Sequence, residues 1–141
     1  MLPFRRLRWI TTVGLSGLTA CASHAPTIVE QDQVVTCCQS RYPRDAFPTT
    51  STAQLGAEYR RLKRQKCPAC ARFGSDFYQL LRVLGERLDG QPQSTLRQVL
   101  GRPDRVRGDS LVYYWRGEHD YLYFRPTAQH RVRSAWYFAY E

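Results

Sequence analysis

Four cysteines in two tight groups constrain this chain more than any other feature. Cys37 and Cys38 are adjacent, and Cys67-Pro-Ala-Cys70 follows about thirty residues later. Neighbouring cysteines bond each other only through a strained ring, so two bridges between the groups are the favoured arrangement. Each closes a loop of about thirty residues, worth about 3 kcal/mol in the chain-entropy model. Two other chemistries use the same residues. Cys-x-x-Cys is a chelating spacing for zinc, although an adjacent pair is an awkward second half. It is also the spacing of a redox pair with a lowered thiol pKa. No strand–helix–strand pattern surrounds Cys67-Pro68-Ala69-Cys70, which disfavours a thioredoxin setting. The choice depends on the compartment, since disulfides persist where the surroundings are oxidising.

The first residues bear on the compartment. Arg5, Arg6 and Arg8 precede an apolar run of about ten residues that ends in Leu18-Thr19-Ala20-Cys21, the layout of a secretory signal. A membrane span needs about 20 apolar residues, so this run is too short for one. Leu-Thr-Ala-Cys resembles the lipobox of bacterial lipoproteins. That resemblance implies cleavage before Cys21, acylation of Cys21, and anchoring in the lipid of the outer membrane on its periplasmic face, because Ala22 replaces the aspartate of inner-membrane retention. The expected organisation is a signal over residues 1–20, a lipidated tether and extended arm over 21–50, and a folded domain over 51–141.

The formal charge is +9. Arg60, Arg61, Lys63, Arg64 and Lys66 crowd one segment, with Arg72 nearby, and Arg97, Arg102, Arg105 and Arg107 form a second group. In an exported chain the anions within reach are lipid headgroups and acidic proteins rather than nucleic acid. A solvated helix face is the plainer account of the first group.

Periodicity gives the elements. Leu55, Tyr59 and Leu62 make a helical stripe from a cap at Ser51 or Thr52 to about Lys66, stopped by Pro68. Phe77, Leu80, Leu81, Leu84 and Leu88 make a second, started by Gly74-Ser75-Asp76 and stopped by Gly90 and Pro92. A third begins at Ser94 or Thr95, with Thr95 and Gln98 at capping-box spacing, and ends at Gly101. Leu111–Trp115, Tyr121–Phe124 and Val132–Tyr140 are three strands joined by short turns. The expectation is an α+β fold, two or three helices on a three-stranded antiparallel meander. Trp115, Tyr123, Trp136 and Phe138 are expected on the packed face. Tyr113, Tyr114, Tyr121, Tyr123, Tyr137 and Tyr140 are many tyrosines for one small sheet, and those that point outward offer a binding surface.

Residues 94–139 carry a second resemblance. Ser94-Thr-Leu-Arg-Gln-Val-Leu-Gly-Arg-Pro-Asp104, a helix followed by Leu-Gly-x-Pro, leads into Val112-Tyr-Tyr-Trp115 and Tyr121-Leu-Tyr-Phe124. This resembles the SmpA/OmlA family, whose best-known member is the small lipoprotein of the outer-membrane β-barrel assembly machine. The resemblance implies two helices followed by a three-stranded antiparallel sheet on a lipidated chain. The cysteine segments and the basic helix have no counterpart in that family.

Arg116-Gly117-Glu118-His119-Asp120 places two carboxylates beside a histidine. A polar hairpin turn accounts for these residues more simply than acid–base catalysis does. No phosphate loop, H-E-x-x-H or nucleophile context occurs. The expected function is therefore binding or scaffolding of envelope proteins through Tyr114, Arg116, Glu118, His119 and Asp120. Catalysis, a cofactor, a resident metal and a small-molecule substrate are not expected. A thiol-dependent redox or metal-binding role for Cys67 and Cys70 is the alternative.

Overall fold

The structure, a computed structural model, describes residues 37–139. The signal, Cys21, the tether Ala22–Gln33 and Tyr140 lie outside the described residues. Helix α1 spans Thr52–Gln65. Ser51 caps it, accepting the Gln54 N–H at 3.3 Å, while the Gln54 side chain accepts the Ser51 N–H at 3.2 Å. Leu55, Tyr59 and Leu62 are buried as one stripe. Lys66 turns left-handed at φ 50° to end the helix, and Pro68 opens a single 3-10 turn, Pro68–Ala71. Helix α2 spans Asp76–Leu88, capped by Ser75, with Phe77, Leu80, Leu81, Leu84 and Leu88 buried. Helix α3 spans Gln93–Leu100 and starts before the expected capping box. Extended Pro92 sets its first turn and no side chain caps it.

Helices α1 and α3 meet at Gly56. A Cβ there would lie 2.6 Å from Val99 Cγ1 and 2.7 Å from the Val99 carbonyl oxygen. Only glycine permits this approach. The Arg60 guanidinium adds bonds to the Gln98 and Val99 carbonyls.

The sheet has four strands rather than three, all antiparallel, in the order β1 (Arg105–Arg107), β2 (Ser110–Tyr114), β3 (Asp120–Pro126) and β4 (Val132–Phe138). The extra strand β1 is a short, fully exposed edge that pairs Val106 with Leu111. Leu111, Tyr113 and Trp115 point towards the helices with Leu122, Phe124 and Val132, and all six are buried. Tyr123 was expected beside them and lies on the other face. Its register partners are Val112 and Ala135, because Leu122 and Phe124 occupy the inward positions of β3. Trp136 and Phe138 do face inward and are half-buried.

The two disulfides join Cys37 to Cys67 and Cys38 to Cys70, with Cα atoms 6.0 and 5.2 Å apart. They tie the arm to the turn that follows α1. The arm is not extended throughout: Arg44–Ala46 forms a 3-10 turn and Phe47 enters the core. Arg87 holds it by donating to the Phe47, Pro48 and Thr50 carbonyls at 2.8, 2.8 and 2.6 Å. Glu58, only 3% exposed, accepts the Arg41 N–H at 2.7 Å and pairs with Arg61 at 2.5 Å. No helix among the described residues is long and apolar enough to cross a membrane.

Candidate partner-binding surface

Strand alternation places Tyr114, Tyr121, Tyr123 and Tyr137 on the face turned away from the helices. Tyr114 opposes Tyr121, and Tyr121 opposes Tyr137. The Tyr121 and Tyr137 rings stack at 4.8 Å, with Tyr114 and Tyr123 edge-on to Tyr121 at 6.1 and 6.2 Å. Arg107 lies over the Tyr121 ring at 5.1 Å and donates to its hydroxyl at 2.8 Å. Arg125 lies 5.9 Å from the Tyr123 ring. At exposed sites such cation–ring contacts are worth about 0.5–1 kcal/mol each. The second terminal nitrogen of Arg107 lies 3.8 Å from Glu118 Oε2. The rings and arginines enclose a groove of about 300 Å³ over a floor that includes Val112. Val112 is 1% exposed although it points away from the core, because its neighbours on this face cover it.

The loop residues divide between the two faces. Glu118 is on the outer rim, accepting from Arg105 at 2.6 Å and from the Tyr114 hydroxyl at 3.3 Å. Asp120 points inward, is 2% exposed, and pairs with Arg116 Nε at 2.6 Å. The Arg116 guanidinium also covers the Trp115 and Phe73 rings at 4.6 and 4.7 Å. The His119 carbonyl accepts the Ala139 N–H at 2.8 Å. The two carboxylates that flank His119 in sequence are thus engaged separately, by Arg105 and by Arg116. Tyr114 and Glu118 belong to the outward face, whereas Arg116 and Asp120 stabilise the loop from within.

All four described cysteines are consumed in bridges, and Cys67 and Cys70 have different partners. Among the described residues no group of three or more His, Cys, Asp or Glu side chains is placed to hold a metal ion. The basic helix is largely turned to structural use. Besides Arg60, Arg61 donates to the Gln39 carbonyl at 2.7 Å, and Lys63 pairs with Asp104 at 2.8 Å. Arg64 and Lys66 remain exposed. Arg97 and Arg102 line a separate cleft of about 460 Å³ with Lys63, Asp104 and Arg105.

Two features are not evident in the sequence. Phe73, in a turn with no periodicity to mark it, is 62% exposed and packs edge-on against Trp115 at 4.6 Å and Tyr78 at 5.7 Å. The Tyr59 hydroxyl is buried with no hydrogen-bond partner among the described residues. Burial raises its pKa well above the ordinary value, and the Asp104 charge and Tyr113 add to the rise. No family model matches the chain, and neither curated proteins nor solved structures give a significant match.

Proposed function

We propose that this chain is a lipoprotein held by acylated Cys21 on the periplasmic face of the outer membrane, where it works as a binding or scaffolding module rather than a catalyst. The anchor is supported by the Leu18–Cys21 box behind its basic and apolar leader. Each buried methylene of a lipid chain contributes about 0.8 kcal/mol, so the acyl chains of a lipoprotein hold firmly. Disulfides fit an oxidising compartment. The narrower form, a role in envelope or β-barrel assembly, rests on the likeness of residues 94–139 to the SmpA/OmlA pattern.

The observation that carries the binding role is the outward sheet face. Tyr114, Tyr123 and Tyr137, packed around buried Tyr121, stand with Arg105, Arg107 and Arg125 on rigid strands, and no helix among the described residues lies against them. Tyrosine and arginine are the residues on which interface energy concentrates. The partner is an envelope protein that presents acidic groups to the arginines and apolar surface to the rings. The thiol-dependent alternative would require both bridges to be reduced first, since Cys67 and Cys70 are not bonded to each other.

The test is a photo-crosslinking residue placed at Tyr123 in the lipidated protein, with Arg64 on the exposed part of α1 as the control position. Specific adducts to one envelope protein from position 123, lost in Cys21→Ser, support the proposal, and barrel-assembly subunits among them would support its narrow form. Equal labelling from both positions, or fatty-acid labelling of Cys21→Ser, contradicts it.

A further inference from the structure

The edge of β4 is half occupied by the chain itself. Val132 donates its N–H to the Gln91 carbonyl at 2.9 Å and accepts the Gly90 N–H at 2.7 Å. Its backbone polar groups therefore point away from β3, and alternate residues of the strand share that direction. Ser134 obeys the rule, since its N–H is met by Asp89 Oδ1 at 2.8 Å. Trp136 and Phe138 are the next two such positions. No hydrogen bond reaches either of their N–H groups from the described residues. The intervening ladder points the other way, as the bond from the Ala139 N–H to the His119 carbonyl shows.

We infer that this open half-edge, Trp136 to Phe138, takes an extended segment of another protein as an added strand, with apolar residues on the helix side and acidic residues on the outer side. Its donors recur about 7 Å apart, which suits the backbone of a strand. The segment over Gly90–Pro92 already shows an antiparallel occupant on the same edge, through the bridge of Pro92 with Arg131. On the helix side the Trp136 and Phe138 rings stack at 5.5 Å, Tyr78 lies 5.4 Å from Trp136, and exposed Phe73 lies 6.5 Å from Phe138. Apolar side chains of an added strand would meet this wall.

Charge selects the occupant. Residues 37–139 hold 18 basic and nine acidic side chains. This repels a second copy and attracts an acidic segment. The site lies beside the tyrosine face and does not depend on it.

The probe is a blocked peptide of about eight alternating valine and glutamate residues, added to the full chain and followed by amide hydrogen exchange. Trp136 and Phe138 amides should exchange freely without peptide and slow by about tenfold or more with it. Phe138→Pro removes the ring as well as an N–H that the sheet does not use, so it is compared with Phe138→Ala, which removes the ring alone; the proline variant should bind the peptide about fivefold more weakly than the alanine variant, the worth of one hydrogen bond. The same peptide N-methylated at alternate residues should bind more weakly in one register, a readout that needs no variant. Tyr114→Ala should leave this affinity unchanged, which separates this site from the tyrosine face. The inference is overturned if the two amides are already protected in the free chain, if the peptide fails to bind, or if Phe138→Pro binds it as well as Phe138→Ala. Protection that grows with protein concentration alone would assign the edge to a second copy. Equal binding of a valine–lysine peptide would overturn the acidic occupant.

Discussion

Both faces of this sheet are aromatic, and they differ in what their polar atoms meet. On the inner face the Tyr113 hydroxyl donates to the Gly101 carbonyl at 3.0 Å and Trp115 Nε1 donates to the Cys70 carbonyl at 2.9 Å. Each ring is locked by a single backbone acceptor from a helix end or a turn. On the outer face the hydroxyls of Tyr114 and Tyr121 meet Glu118 and Arg107, charged side chains that themselves reach solvent. A buried polar tip with one partner is costly to disturb. Tyr121 is itself buried, but the Tyr114 tip is wet, and a wet tip with a charged partner can exchange that partner for another molecule. Ring content alone therefore does not separate core from binding surface. The acceptor at the tip of the ring does.

The largest effect expected is from the bridges. Replacing all four cysteines with serine opens the loop that they close and loses its stabilisation of about 3–4 kcal/mol. It should also loosen Trp115, whose acceptor is the Cys70 carbonyl, and so flatten the near-ultraviolet dichroism. Because the loops nearly coincide, removing only the Cys37–Cys67 bridge should cost far less in urea unfolding. Equal costs for one bridge and for two would break this view of the inner face.

Next is the inner face itself. Trp115→Ala should cost about 3–5 kcal/mol, read as a lowered urea midpoint. Gly56→Ala should cost about 1–3 kcal/mol, since the new methyl meets the Val99 carbonyl as well as its Cγ1, and the backbone cannot move aside as a side chain could. An unchanged midpoint would mean that α1 and α3 are farther apart than the structure places them.

A smaller effect depends on pH. Burial alone would raise the Glu58 pKa, but the Arg61 bond and charge and the Arg41 N–H outweigh it and hold it below the ordinary 4.5. A depressed carboxylate pKa stabilises the fold above the ordinary value, and the contribution is lost as pH falls through the folded one. Stability should therefore decline below pH 4.5, and Glu58→Gln should make that decline shallower. Asp89, lowered first by the Ser134 N–H and further by Arg133, adds to the same acid limb from below 3.8. An acid limb unchanged in Glu58→Gln would remove Glu58 from this account.

Much of the fold was legible because its helices announce themselves through stripes and stops. The apolar faces of α1 and α2 and the serine caps follow directly from the chain. Strand β1 was not legible, since Arg105-Val106-Arg107 has no second apolar residue and all three are exposed. Alternation does not fix the face of β3, because Tyr-Leu-Tyr-Phe is apolar at both parities, and Tyr123 falls on the outer side against expectation. Asp120 takes an inward position at the start of β3, where it is buried and paired with Arg116. A buried charge at a strand start is a tertiary fact, and alternation cannot foresee it. In the candidate surface, Tyr114 was placed outward from sequence, whereas the arginine cover supplied by β1 became visible only with that strand.

The smallest stability effect and the most direct test belong to one pair of neighbours. Tyr114 and Trp115 are adjacent in sequence and lie on opposite faces. Tyr114→Ala should shift the urea midpoint by less than the equivalent of about 1 kcal/mol, while sharply reducing crosslinks from position 123 to the envelope partner. Trp115→Ala should lower the midpoint strongly. Loss of folding in Tyr114→Ala, or crosslinking that survives it undiminished, would contradict the assignment of the outer face as the binding surface.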